Sequence, residues 1–103
     1  MITMTEDARR AIEYTFAHCP SKKFRIHINR RTFILQLSST DHDELLKTDE
    51  IYFAGGYAFA VEAGLMERVG DIRIEAAGNM PLVLPRRAIC MERDLPDPPE
   101  HRR

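Results

Sequence analysis

The sequence predicts an α+β domain of antiparallel or mixed strands with one N-terminal helix and one short helix. Three observations carry that expectation. Apolar side chains recur at steps of three and four over residues 5–19, they alternate with polar ones over 24–28 and 72–76, and Phe33, Leu35 and Leu37 keep the two-residue step. Glycines at 55, 56, 70 and 78 separate the later periodic runs. Helices set apart by hairpin-forming strands belong to the α+β class.

The first element is a helix. Thr5 offers a capping hydroxyl, and Glu6 and Asp7 place acids at the positive end of the helix dipole. Ala8, Ala11, Ile12, Thr15, Phe16 and Cys19 then form one stripe, and Pro20 stops it. Cys19, at the end of that stripe, reads as a small core hydrophobe.

Phe24, Ile26 and Ile28 alternate with Arg25, His27 and Asn29, and Phe33, Leu35 and Leu37 repeat the pattern. The spacing predicts a hairpin over 24–38 with His27 on its polar face. Its turn is unusual. Tight two-residue hairpins favour Asn-Gly or Asp-Gly because they need positive φ. Asn29 tolerates that conformation, whereas Arg30 and Arg31 gain nothing from it.

"SSTDHDELLKTD" is polar and acidic, and it reads as an irregular connection. "EIYF" and "YAFAV" flank Gly55-Gly56 as a second hairpin. Leu65, Met66 and Val69 share one face of a short helix that Gly70 ends. "DIRIEAA", a Gly78-Asn79 turn and "MPLVL" complete the folded part, with Pro81 suited to an edge strand or a strand start. Phe16, Ile26, Phe33, Leu35, Phe59, Val61, Leu65 and Ile74 are the expected core.

At 103 residues the chain is sized for one domain. Residues 1–85 form it, and 86–103, rich in proline and charge, read as a C-terminal tail anchored as far as Ile89. No apolar run is long enough to cross a bilayer, and the N-terminus has no signal-peptide pattern, so a cytoplasmic location is expected. The net charge of −1 conceals a basic stretch, "SKKFRIHINRR", and an acidic one, "DHDELLKTDE". A short basic stripe at near-neutral pI argues against nucleic acid as the partner.

Candidate chemistry is sparse. Asp41 to Glu44, "DHDE", supplies hard-metal donors, yet neighbouring residues converge on one ion only through a tight loop, and no glycine permits one there. The run reads as a solvated acidic loop. Cys19 and Cys90 belong to no CxxC or CxxH pair. No catalytic triad order, phosphate loop or HExxH motif is present.

Two stretches resemble a known family. "MITMTEDARRAI" is similar to the opening of HesB-like proteins, the A-type iron–sulfur cluster carriers, whose first helix follows an "ITxT" segment. "DEIYFAGGYAFAVEAGLMERVGDIRI" resembles that family's middle, in the same order and spacing. The resemblance covers roughly residues 1–84 and is weakest between 29 and 48. It implies a compact HesB-like domain whose relatives hold iron or a cluster through three cysteines, one in the first hairpin and two near the C-terminus.

This chain departs from that pattern. "NRRTF" stands where relatives carry a glycine-rich, cysteine-containing segment, and only Cys90 matches one of the C-terminal pair. Clusters of this kind take about four ligands, normally thiolates. The expectation is therefore a HesB-like scaffold without a complete cluster site, related to iron–sulfur cluster biogenesis, non-enzymatic and with no cofactor. It would act in binding or assembly as a homodimer, with a further protein partner as an option. The alternatives are a residual iron or iron–sulfur carrier using Cys90 as metal ligand, and a small α+β enzyme of unknown activity. Arg30 and Arg31 either solvate the hairpin tip or bind an acidic partner surface or anion, such as the 41–50 loop of a second subunit.

Overall fold

A computed structural model describes residues 1–18, 23–39 and 49–96. Cys19, the Asp41–Glu44 run and residues 97–103 lie outside them. The described elements are β1 (Ile2–Met4), α1 (Glu6–Thr15), β2 (Lys23–Ile28), β3 (Leu35–Ser39), β4 (Glu50–Ala54), β5 (Tyr57–Val61), α2 (Leu65–Val69), β6 (Ile72–Ala77) and β7 (Met80–Pro85). The α+β class is as expected, and the sheets are mixed.

Helix α1 starts where its cap requires. The Ala8 N–H donates to Thr5 Oγ1 at 3.0 Å, and Glu6 and Asp7 occupy the first turn. Its wet face is tied by ion pairs from Arg9 to Glu6 and Glu13 and from Arg10 to Asp7. The helix ends at Thr15, a turn before Pro20, with Phe16 as its C-cap. Thr15 there donates its hydroxyl to the Asn79 carbonyl at 2.9 Å, fixing the helix end to the β6–β7 turn.

Two sheets form. One has the order β1-β6-β7, and the other β3-β2-β5-β4. Both hairpins of the second sheet match the sequence expectation. Their junction does not follow from it: β2 runs parallel to β5, with Phe24 beside Phe59 and Ile26 beside Val61. Strand β1 is a further addition, parallel to β6 with Ile2 beside Ile72. Strand β7 forms an edge, which suits Pro81 because proline cannot donate to a ladder.

The inner faces meet in one core. Phe24, Ile26, Phe59, Val61, Leu65, Ile72 and Ile74 are all essentially inaccessible, joined by Ile12 of α1. The Phe24 ring is packed by Phe16, Tyr57 and Phe59 at centroid distances of 5.0, 5.4 and 5.8 Å. Of the expected core residues, Phe16 and Phe33 sit at its margin, half-buried and packed against it.

Beyond Pro85 the chain stays on the domain as far as Pro96. Arg86 and Arg87 donate backbone N–H groups to the Asp71 and Val69 carbonyls, both at 2.8 Å. Ile89 is buried, a 3-10 turn spans Glu92–Asp94, Leu95 packs on the core and Pro96 is buried. Among the described residues, no helix is long and apolar enough to cross a membrane.

Candidate functional site

The turn of the first hairpin is longer than a two-residue primed turn, and this explains why it lacks glycine. Ile28 pairs with Leu35, and the Asn29 N–H donates to the Ile34 carbonyl at 2.9 Å. Residues 30–33 therefore form the loop. Asn29 organises it through its side chain: Oδ1 accepts from the N–H groups of Arg31 at 2.9 Å and Thr32 at 3.2 Å. The positive φ falls on Phe33, at 62°, and not on Asn29. Burial of the Phe33 ring against the core helps offset that left-handed backbone.

The two arginines at this tip part company. Arg31 is exposed. Arg30 turns its guanidinium inward, where one nitrogen pairs with Glu62 Oε2 and another donates to the Pro96 carbonyl at 3.0 Å. Glu62 follows the last residue of β5 and is 4% exposed, the buried charged residue among those described. Its second oxygen accepts from the Ile28 N–H at 3.2 Å. A carboxylate held in this way is fully engaged: one oxygen on an ion pair, the other on backbone. Three distant pieces of chain meet here, namely the hairpin tip, the end of β5 and the C-terminal segment.

The basic and acidic stretches also meet within one chain. Arg25 grips Asp49 with two nitrogens, at 2.8 and 3.2 Å, and the Asp49 side chain is almost fully covered. His27 lies on the polar side of β2 as expected, half-buried, with Nε2 at 3.2 Å from Gln36 Oε1. Its Nδ1 is buried without a hydrogen-bond partner.

Cys90 is a free, exposed thiol between buried Ile89 and exposed Met91. Beside it, α2 and the C-terminal segment border a polar cleft of about 330 Å³, lined by Glu67, Arg68, Arg87, Ala88, Ile89 and Asp94. Two cations face two carboxylates there, so the cleft has no net sign to select a charged ligand. At the hairpin tip the donor set for a metal is poor, since the Arg30 guanidinium has no lone pair to give and Glu62 is already engaged. Among the described residues, no three His, Cys, Asp or Glu side chains are grouped to hold an ion.

Sequence reasoning missed Glu62, whose carboxylate follows the apolar run "YAFAV". Its position was readable, but its burial depends on Arg30 and Pro96, which are remote in the chain.

No family model matches the chain, and no curated protein matches it in sequence. Among solved structures, it is similar to a crystal structure of IscA with a 2Fe-2S cluster, with a TM-score of 0.62. Sequence identity is 17%, and the match covers 81% of each chain. At that identity the likeness speaks to architecture: the chain has an IscA-like α+β fold.

Proposed function

We propose that this chain is an IscA-like scaffold lacking a complete cluster site, a non-enzymatic binding or assembly protein related to iron–sulfur cluster biogenesis. The observation that carries the reading is the contact at the hairpin tip. The family resemblance implies a cysteine in that hairpin and two more near the C-terminus. Here the tip reaches the C-terminal segment through Arg30 and the Pro96 carbonyl, and its charge is matched by Glu62. The hairpin tip, where the resemblance implies one cysteine, instead presents an arginine whose ion pair closes it onto the end of β5 and the C-terminal segment. Neither Arg30 nor Glu62 pairs a nucleophile with a base, which favours a binding role over an enzymatic one.

A second reading has its own support. Cys90 is exposed, so a dimer would offer two accessible thiolates to iron or a cluster. Two is half of the about four ligands such clusters take. Anaerobic reconstitution with iron and sulfide, followed by visible absorbance, separates the readings. The scaffold reading expects no stable charge-transfer bands after desalting. Stoichiometric cluster that is lost in Cys90→Ser would establish the carrier instead. A symmetric homodimer, the commonest closed assembly, belongs to the same proposal.

A further inference from the structure

After β7 the chain is first held firmly and then only lightly. Arg86 and Arg87 are each tied twice. Their backbone N–H groups donate to the Asp71 and Val69 carbonyls, Arg86 pairs with the Asp71 carboxylate at 3.6 Å, and Arg87 donates from its guanidinium to the Glu67 carbonyl at 3.2 Å. Arg87 also fills the space beside Gly70, where a Cβ would meet its Nη1 at 2.9 Å.

Residues 88–96 differ. Ala88 and residues 90–93 are exposed, and only Ile89 and Pro96 are buried. The backbone bonds of this stretch stay inside it, from the Asp94 N–H to Met91 and from the Leu95 N–H to Glu92. Among the described residues, the hydrogen bond from Arg30 to the Pro96 carbonyl is the one that joins the stretch to the domain. It lies at the end remote from the anchored arginines, where Pro96 sits over Gly64 with its Cβ 3.3 Å from the place a Cβ would take. Between the two ends the stretch borders α2 across the polar cleft. Segments with few buried contacts and no bond into a sheet open well below the free energy of global unfolding.

We propose that residues 88–96 form a strap, hinged after Arg87 and latched by Arg30, which opens as a unit while both sheets stay folded. The two bonds of the latch differ in kind. Arg30 holds Glu62 through one nitrogen and Pro96 through another. Glu62 belongs to the domain, whereas Pro96 offers a neutral carbonyl. Lifting the strap therefore returns a carbonyl to water and leaves the buried Glu62 carboxylate paired. A strap fastened through a buried carboxylate of its own would strand a charge each time it opened. Opening draws Ile89, Leu95 and Pro96 off the domain, bares the side of α2 that borders the cleft, and carries the Cys90 thiol with it.

Thiol labelling separates the strap from the fold. In chains with Cys19→Ser and Cys90→Ser, Pro96→Cys puts a thiol under the latched end and Val61→Cys puts one in the core. Both positions are buried, so iodoacetamide reaches each thiol only when its surroundings open. Position 96 should react at least about tenfold faster than position 61, with a shallower rise in urea, because lifting the strap exposes little surface. Arg30→Ala should speed labelling at position 96 by about tenfold to a hundredfold, the worth of one hydrogen bond to a charged group. Loss of the Glu62 pair cancels from that change, since the pair is present with the strap shut and open. Arg31→Ala should leave the rate as it is. Equal rates and urea slopes at positions 96 and 61, a comparison that leaves Arg30 in place, would mean that 88–96 unfolds only with the core, and would overturn the strap. Faster labelling at position 96 that Arg30→Ala does not alter overturns the latch. None of these outcomes bears on the cluster reconstitution, which does not depend on the strap.

Discussion

Arg30 and Glu62 lie 32 positions apart in sequence, one at the tip of the first hairpin and one just past the end of the second, and they meet in a single ion pair. The carboxylate is buried, while about a third of the arginine side chain remains accessible. Removing the cation would leave a buried charge with only the Ile28 N–H to satisfy it. Arg30→Ala should therefore cost about 2–3 kcal/mol, the lower range for breaking a buried pair because water can reach the site. Arg31→Ala should stay within ~0.5 kcal/mol, as exposed substitutions do. Chemical denaturation of the two variants decides the matter, and equal midpoints would remove the pair from the stability of the fold.

The core makes a similar contrast. Phe59 is inaccessible and touches the Phe24 and Tyr57 rings, whereas Phe53, on the neighbouring strand, is largely exposed. Phe59→Ala should cost about 3–5 kcal/mol. Phe53→Ala, read on the monomer at high dilution, should cost under ~0.5 kcal/mol. A loss below ~1 kcal/mol at Phe59 would contradict its burial.

Alkaline pH should act through tyrosine. Burial pushes the Tyr57 phenol above its ordinary range, and Glu13, which accepts its hydroxyl at 3.4 Å, adds to the effect. Burial and then Glu50 push Tyr52 the same way. The folded state thus favours the neutral phenols. Their contribution is fully present below the unfolded phenol value of about 10 and is lost as pH rises through the folded values. Ultraviolet titration should show phenols ionising late, and Tyr57→Phe should flatten the fall in stability above that pH.

Gly56 provides a backbone test. Its φ is 87°, and a Cβ built there meets nothing within 4 Å. Gly56→Ala should therefore cost only the left-handed strain, about 1–2 kcal/mol by thermal melting. A neutral result would mean that the turn relaxes to another type.

The elements were legible in the sequence because burial on one face leaves a local period. Alternation marked β2 and β6, and the Thr5 cap marked the start of α1. Two features could not be read this way. "ITM" in β1 is too short to display a period, and it owes its existence to β6. The parallel pairing of β2 with β5 is a choice of partner, which periodicity does not encode. The hairpin tip was misjudged in a more instructive way. Arginines in a turn suggest solvent, but the tip is bounded by Asn29 and backed by Glu62, so one arginine faces in. Only the topology brings residues 30, 62 and 96 together.

The parallel pairings also constrain the order of events in folding. Helix α1 and both hairpins of the four-stranded sheet are local and can form as soon as their residues exist. Ile2, by contrast, pairs with Ile72, so the first strand of the chain must wait for one of the last. On a ribosome, β1 would remain unpartnered through the synthesis of both hairpins and α2. Until β6 emerges, the inner face of Phe24, Phe59 and Val61 lacks its opposing sheet, and chaperone binding would be strongest in that interval. Such non-local closure places refolding in about the millisecond-to-second range of β-rich domains and not the microseconds of helical ones.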